Sequence, residues 1–89
     1  MGWKIHGEGP DVLEVWEDYY GNLWFITEHI DDDIKFGYAR LYSSPQFQEW
    51  GSFSLNEIKR VNAGGRVWKV KKDSWSNLNT YEDNLLMEV

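Results

Sequence analysis

Apolar and polar positions alternate along most of this chain, which is the mark of short, half-buried strands rather than long helices. The segment VLEVWEDYY (Val12–Tyr20) is rich in strand formers, and LWFITEHI (Leu23–Ile30) follows it after Gly21-Asn22. A two-residue Gly-Asn connection suits a type I′ or II′ turn, so the two segments are predicted to pair as an N-terminal hairpin. With Tyr20 opposite Leu23, one face carries Leu13, Val15, Glu17 and Tyr19 beside Trp24, Ile26, Glu28 and Ile30. The other carries Val12, Glu14, Trp16, Asp18 and Tyr20 beside Leu23, Phe25, Thr27, His29 and Asp31. The first face is the more apolar and is expected to line the core. A register slip of one residue would invert that assignment.

Further along, Asp31-Asp32-Asp33 predicts a polar turn into a third strand, Ile34–Tyr42, which Ser43-Ser44-Pro45 ends. A short fourth strand is expected around Trp50–Phe53. Ser54-Leu55-Asn56-Glu57 fits a capping box, with a hydroxyl at a helix start and a carboxylate three residues on. A helix from Leu55 to about Asn62 follows, stopped by Gly64-Gly65. RVWKVK (Arg66–Lys71) alternates basic and apolar side chains and reads as a last strand. Thr80-x-x-Asp83 is expected to open a short C-terminal helix that packs Leu85, Leu86 and Val89. Residues 1–11, with Gly7, Gly9 and Pro10, read as an irregular lead-in. The plan is α+β: a small antiparallel sheet of four to five strands carrying one or two short helices.

At 89 residues the chain has room for one domain, and it contains no internal repeat, low-complexity tract or linker. The aromatic share changes this ordinary picture. Six Trp, five Tyr and four Phe make 17% of the chain, and a core this small cannot hide them all. Surplus rings at the surface raise the prospect of a binding face. There is no cysteine, which removes disulfides, thiolate metal sites and thiol nucleophiles. No apolar run approaches the ~20 residues of a membrane span, and the first ten residues lack the apolar stretch of a signal peptide. A cytoplasmic, non-membrane protein is the expectation.

Net charge is −6, but the charges are segregated. Residues 1–33 carry nine acids against one base, Lys4, whereas residues 59–72 carry six bases and no acid. An acidic end and a basic patch follow, provided folding does not interleave them. Each supports a binding reading. Glu14, Trp16, Asp18 and Asp31 share a face on the predicted register, with Asp32 and Asp33 beside it, and such a strip can occupy a basic groove on a protein partner. Arg66, Trp68, Lys69, Lys71, Lys72 and Trp75 combine cations with rings, the chemistry that single-stranded nucleic acid binding uses. The acidic net charge argues against that second reading.

Catalytic chemistry has less support. Glu17 and Glu28 fall as diagonal neighbours on the apolar face, and two carboxylates so placed would push one pKa up. The alternative is a solvated or ion-paired position at the core's edge. His29, Glu14 and the Asp31–Asp33 run have no fixed ligand spacing, and three consecutive aspartates do not supply the alternating oxygens of a Ca²⁺ loop. Gly7-x-Gly9 and Gly64-Gly65 fit no phosphate-loop pattern, and no nucleophile elbow or paired-histidine motif occurs. Neither cofactor nor metal is expected, and the chain does not read as an enzyme.

One pattern spans the middle of the chain: Trp24-Phe25-Ile26-Thr27-Glu28, Asp32-Asp33, Phe36-Gly37, Leu41, then Glu49 to Ile58 (EWGSFSLNEI). Over residues 24–58 it resembles a family of short plasmid- and phage-borne proteins built on a domain of unknown function. That family runs Trp-x-x-Thr-Glu, an acidic turn, Phe-Gly, and Gly-x-x-Ser-Leu-x-Glu. The resemblance implies a compact sheet-plus-helix domain in a mobile-element setting, and it implies no established activity. The chain departs from the pattern in its length, its Trp-rich C-terminal part and its Lys69–Lys72 segment. Together these features lead to an expected function: a non-enzymatic accessory protein of a mobile element that binds a macromolecular, chiefly protein, partner. A host-defence inhibitor would be one case. The alternative is a nucleic-acid-binding domain using the basic segment 59–75.

Overall fold

The computed structural model of the chain describes residues 2–42, 48–62, 66–80 and 84–89. Their strands are β1 (Trp3–Ile5), β2 (Glu14–Asp18), β3 (Leu23–His29), β4 (Ile34–Arg40), β5 (Glu49–Ser54), β6 (Val67–Lys69) and β7 (Leu86–Glu88). Helix α1 spans Leu55–Val61, and a 3-10 segment covers Lys72–Thr80. Five strands form an antiparallel sheet in the order β5-β4-β3-β2-β6, and β1 pairs with β7 in a second, two-stranded sheet. The α+β class, the antiparallel sheet and the short helix are as the sequence predicts.

The β2–β3 register differs from that prediction, and the difference has a physical cause. Glu14 pairs with Ile26, Val15 with Phe25, Trp16 with Trp24 and Glu17 with Leu23. The strands are therefore joined by Tyr19–Asn22 rather than by Gly21-Asn22 alone. Asp18 sets this longer turn. Its buried carboxylate accepts hydrogen bonds from the Tyr20 and Asn22 backbone N–H groups, both at 2.9 Å, and from Asn22 Nδ2 at 2.8 Å. A buried carboxylate needs such donors, and a two-residue turn would not bring all three to it. Gly21 takes the left-handed conformation the loop requires, with φ 84°.

The three-residue slip is odd, so it turns β3 over relative to β2. Val15 lines the core as expected, but its neighbours there are Leu23 and Phe25 rather than Trp24 and Ile26. Leu13 and Tyr19, assigned to the same core face, are exposed. Against Val15, Leu23, Phe25 and Tyr38 pack Ile5 and Leu86 from the small sheet, Leu85 just before it, and Trp75 and Leu78 from the 3-10 segment. Trp75 and Leu78 are three residues apart, the spacing that places side chains on one edge of a 3-10 turn.

Trp16, Trp24 and Ile26 belong to the opposite face, where α1 lies with Lys59 over Trp16 and with Ile58 and Val61 lining a hollow beside Trp24. The helix start is held by the hydroxyl half of the predicted capping pair: Glu57 N–H donates to Ser54 Oγ at 3.1 Å. Asp33 adds a partner the sequence did not reveal, accepting from Ser54 Oγ at 2.8 Å and from the Asn56 N–H at 2.8 Å.

Both ends of the chain depart from expectation. The lead-in contains β1, and Leu86 in strand β7 and Leu85 just before it are buried without a helix. Trp3, Lys4 and Ile5 stand opposite Glu88, Met87 and Leu86. The Ser43–Pro45 stop, the Gly64-Gly65 helix stop and Asp83 of the proposed C-terminal cap lie outside the described residues.

Candidate interaction surface

Among the described residues the most exposed aromatic group is the tip of the β2–β3 hairpin. Tyr19 is 74% exposed, Tyr20 61% and, beside them, Tyr42 60%. Strand-forming propensity concealed this, because Tyr-Tyr before Gly-Asn reads as the end of a strand. The tip is nevertheless rigidly built. Besides the Asp18 carboxylate bonds, Gly21 N–H donates to Asp18 O at 3.1 Å and Asp18 N–H to Asn22 O at 3.1 Å. Asn22 Oδ1 accepts the Tyr42 N–H at 2.8 Å, which ties the end of β4 to the same turn. Tyr19 N–H donates to Arg66 O at 2.9 Å, joining the approach to β6. The Tyr19 and Tyr20 rings meet edge to face, with centroids 5.7 Å apart.

The six residues of the predicted acidic face are not gathered into one strip. Asp18 is buried at the hairpin tip, whereas Asp31, Asp32 and Asp33 form the turn at the other end of β3. There Asp31 Oδ1 accepts the Asp33 and Ile34 N–H groups at 2.8 and 2.6 Å, and these two bonds hold its carboxyl below the ordinary range. Asp33 is engaged at the start of α1, and Asp32 is exposed. Glu14 accepts from Trp16 Nε1 at 3.1 Å and lies 3.6 Å from His29 Nε2. Trp16 is half-buried, with the Lys59 ammonium 4.8 Å from its ring centroid and Lys69 opposite it in the ladder. Folding thus does interleave the acidic and basic segments, by laying β6 along β2 and α1 across Trp16.

The basic set divides in the same way. Arg66, Lys69, Lys71 and Lys72 are exposed, and Trp68 on β6 is 42% exposed. Trp75 is in the core. It sits edge-on to Trp3 at 5.9 Å, and its Nε1–H donates to Val70 O at 3.1 Å, so it cannot stack a base. Glu17 and Glu28 are not brought together either: Glu17 stands opposite Leu23 at one end of β3, and Glu28 lies near the other. Among the described residues no group of three His, Asp or Glu side chains is placed to hold a metal ion, and no helix is long and apolar enough to cross a membrane.

A second feature, unforeseen from the sequence, lies where the small sheet stops covering β4 and β5. An open cleft of about 380 Å³ is lined by Ile5, His6, Glu8, Gly9, Pro10, Phe36 and Trp50. Phe36 and Trp50 stack with centroids 6.3 Å apart, and Trp50 meets Tyr38 edge-on at 5.5 Å. The opposite wall is a tight turn in which Glu8 N–H donates to Ile5 O at 3.1 Å. His6 and Gly7 at its centre both have positive φ, 55° and 77°, the pattern of a type I′ turn.

No family model, curated protein or solved structure matches the chain, so the resemblance over residues 24–58 rests on its motifs alone.

Proposed function

We propose that this chain is a non-enzymatic binding module, that its partner is a protein, and that it docks through the hairpin tip of Tyr19, Tyr20 and Tyr42. One observation carries the reading: highly exposed Tyr19 and Tyr20 stand on a turn whose backbone is fixed by Asp18 and Asn22, and exposed Tyr42 is tied to that turn through its N–H. Tyrosine supplies large amphipathic contact area at low entropic cost, and a preorganised turn reduces what remains to be ordered on binding. Solubility alone does not call for three rings at one tip. The mobile-element setting, with inhibition of a host defence as one case, comes from the sequence resemblance.

Capture from host lysate on the tagged protein, with and without nuclease, tests the proposal. One stoichiometric protein partner should survive nuclease, and Tyr19→Ala with Tyr20→Ala should weaken its capture by roughly 30-fold, the scale of an interface hot spot. Unchanged capture by that variant would remove the tip from the interface. A second reading is favoured by Trp68, exposed on its edge strand between Arg66 and Lys69. If nuclease abolished capture and Trp68→Ala weakened binding to single-stranded DNA, the chain would be a nucleic-acid binder.

A further inference from the structure

We infer that the Phe36–Trp50 cleft receives an arginine side chain presented by a protein partner. The inference extends the reading of the chain as a protein-binding module, but it uses none of the tip's residues, so the two can fail separately.

Three properties of the cleft point to a guanidinium. Its floor is aromatic: Trp50 is 41% exposed, yet its ring is held by Phe36 on one side and Tyr38 on another. A ring already fixed by its neighbours loses little freedom when a ligand stacks on it. The lining also offers a carboxylate. Glu8 is the one acid among the lining residues, which include His6 but no Lys or Arg, and Glu28 stands outside them, opposite Phe36 in the β3–β4 ladder. Lys4 meets the Gly9 wall, where its ammonium donates to Gly9 O at 2.7 Å, and it lies 3.1 Å from an Asp11 oxygen, so its charge is offset. Finally, the cleft is open rather than enclosed. It can cover a side chain laid along it.

Arginine matches this combination better than lysine. Its guanidinium is planar and weakly hydrated, stacks on aromatic faces and can fork to a carboxylate, whereas an ammonium is a compact, strongly hydrated charge. Stacking on Trp50 with a bond to Glu8 uses both features at once.

The test titrates the full chain with the blocked tripeptide Gly-Arg-Gly, following the Trp50 indole N–H and the Gly9 amide by ¹H–¹⁵N NMR. The citrulline peptide, equal in shape but neutral, and the lysine peptide serve as comparators. Saturable shifts at both reporters are expected with arginine, with citrulline and lysine about 3- to 10-fold weaker. Glu8→Gln should weaken arginine binding about 3-fold. Trp50→Leu should abolish the Gly9 shift, and Tyr19→Ala should change nothing. Because Glu8 is exposed, its variant remains a valid test even if Trp50→Leu does not fold. Absence of saturable shifts, equal responses to arginine and citrulline or to arginine and lysine, or shifts centred on Trp68 would each overturn the assignment.

Discussion

Gly37 shows how one residue can be legible as a motif while its reason stays hidden. It belongs to the Phe-Gly pair of the sequence pattern, and nothing in the sequence says why a side chain is unwelcome there. In the fold, β3 and β4 lose register between Ile26 and Glu28, leaving Thr27 as the extra residue of a bulge. A Cβ on Gly37 would run into the backbone carbonyl of Phe25. Backbone cannot yield cheaply, so Gly37→Ala should cost roughly 2–4 kcal/mol in urea unfolding. Gly51 stands directly opposite and is the natural control. A glycine inside a strand often marks a bend or bulge, yet the β4–β5 register runs unbroken through Gly51 and a Cβ would meet nothing within 4 Å. Gly51→Ala should change stability by no more than about 0.5 kcal/mol.

The elements were legible where a local rule fixes them and illegible where a side chain far from the ladder decides. Strand identity, the helix and its Ser54 cap follow from alternation and capping, and all are present. The β2–β3 register does not follow, because Gly21-Asn22 is a good turn in isolation and only the burial of Asp18 selects the longer one. The candidate site went with the register. Tyr19 and Tyr20, counted as strand, became the tip, and the expected acidic strip came apart. The β3–β4 turn offers a test at this scale. Its two backbone bonds make the Asp31 carboxyl more acidic in the folded chain than its ordinary value of 3.8. Protonation therefore favours the unfolded chain. The stabilisation is complete above about pH 5 and is lost as pH falls through the folded value. Asp31→Asn keeps an oxygen acceptor but removes the titration. Its stability deficit relative to wild type should thus be largest near neutrality and shrink below pH 3. A deficit independent of pH would mean that the carboxylate's charge is not what these bonds use.

The fold is closed by the pairing of β1 with β7. Leu86 is fully buried and lies opposite Ile5, so β1 and β7 belong to the same core as the large sheet. Neither strand was visible in the sequence, since three-residue strands carry too little alternation to register and their pairing spans the entire chain. Deleting residues 86–89 should lower the melting temperature by roughly 10–30 °C, from the loss of a buried leucine with its strand. An unchanged melting temperature would show that the small sheet is not part of the cooperative unit. Charge behaves similarly at this scale: segments that are segregated along the chain are neighbours across β2 and β6, so net charge describes solubility better than it describes any one face.

The two-way bond between the ends has one more consequence. Gly2 N–H donates to Val89 O at 3.0 Å, and Val89 N–H donates to Gly2 O at 2.7 Å. A polypeptide entering at one of these residues and leaving at the other would do so at adjacent points, the condition under which domain insertions are tolerated. Geometrically the fold is a graft: spliced into a surface loop of another protein, it would hang from a single point of attachment without forcing that loop apart.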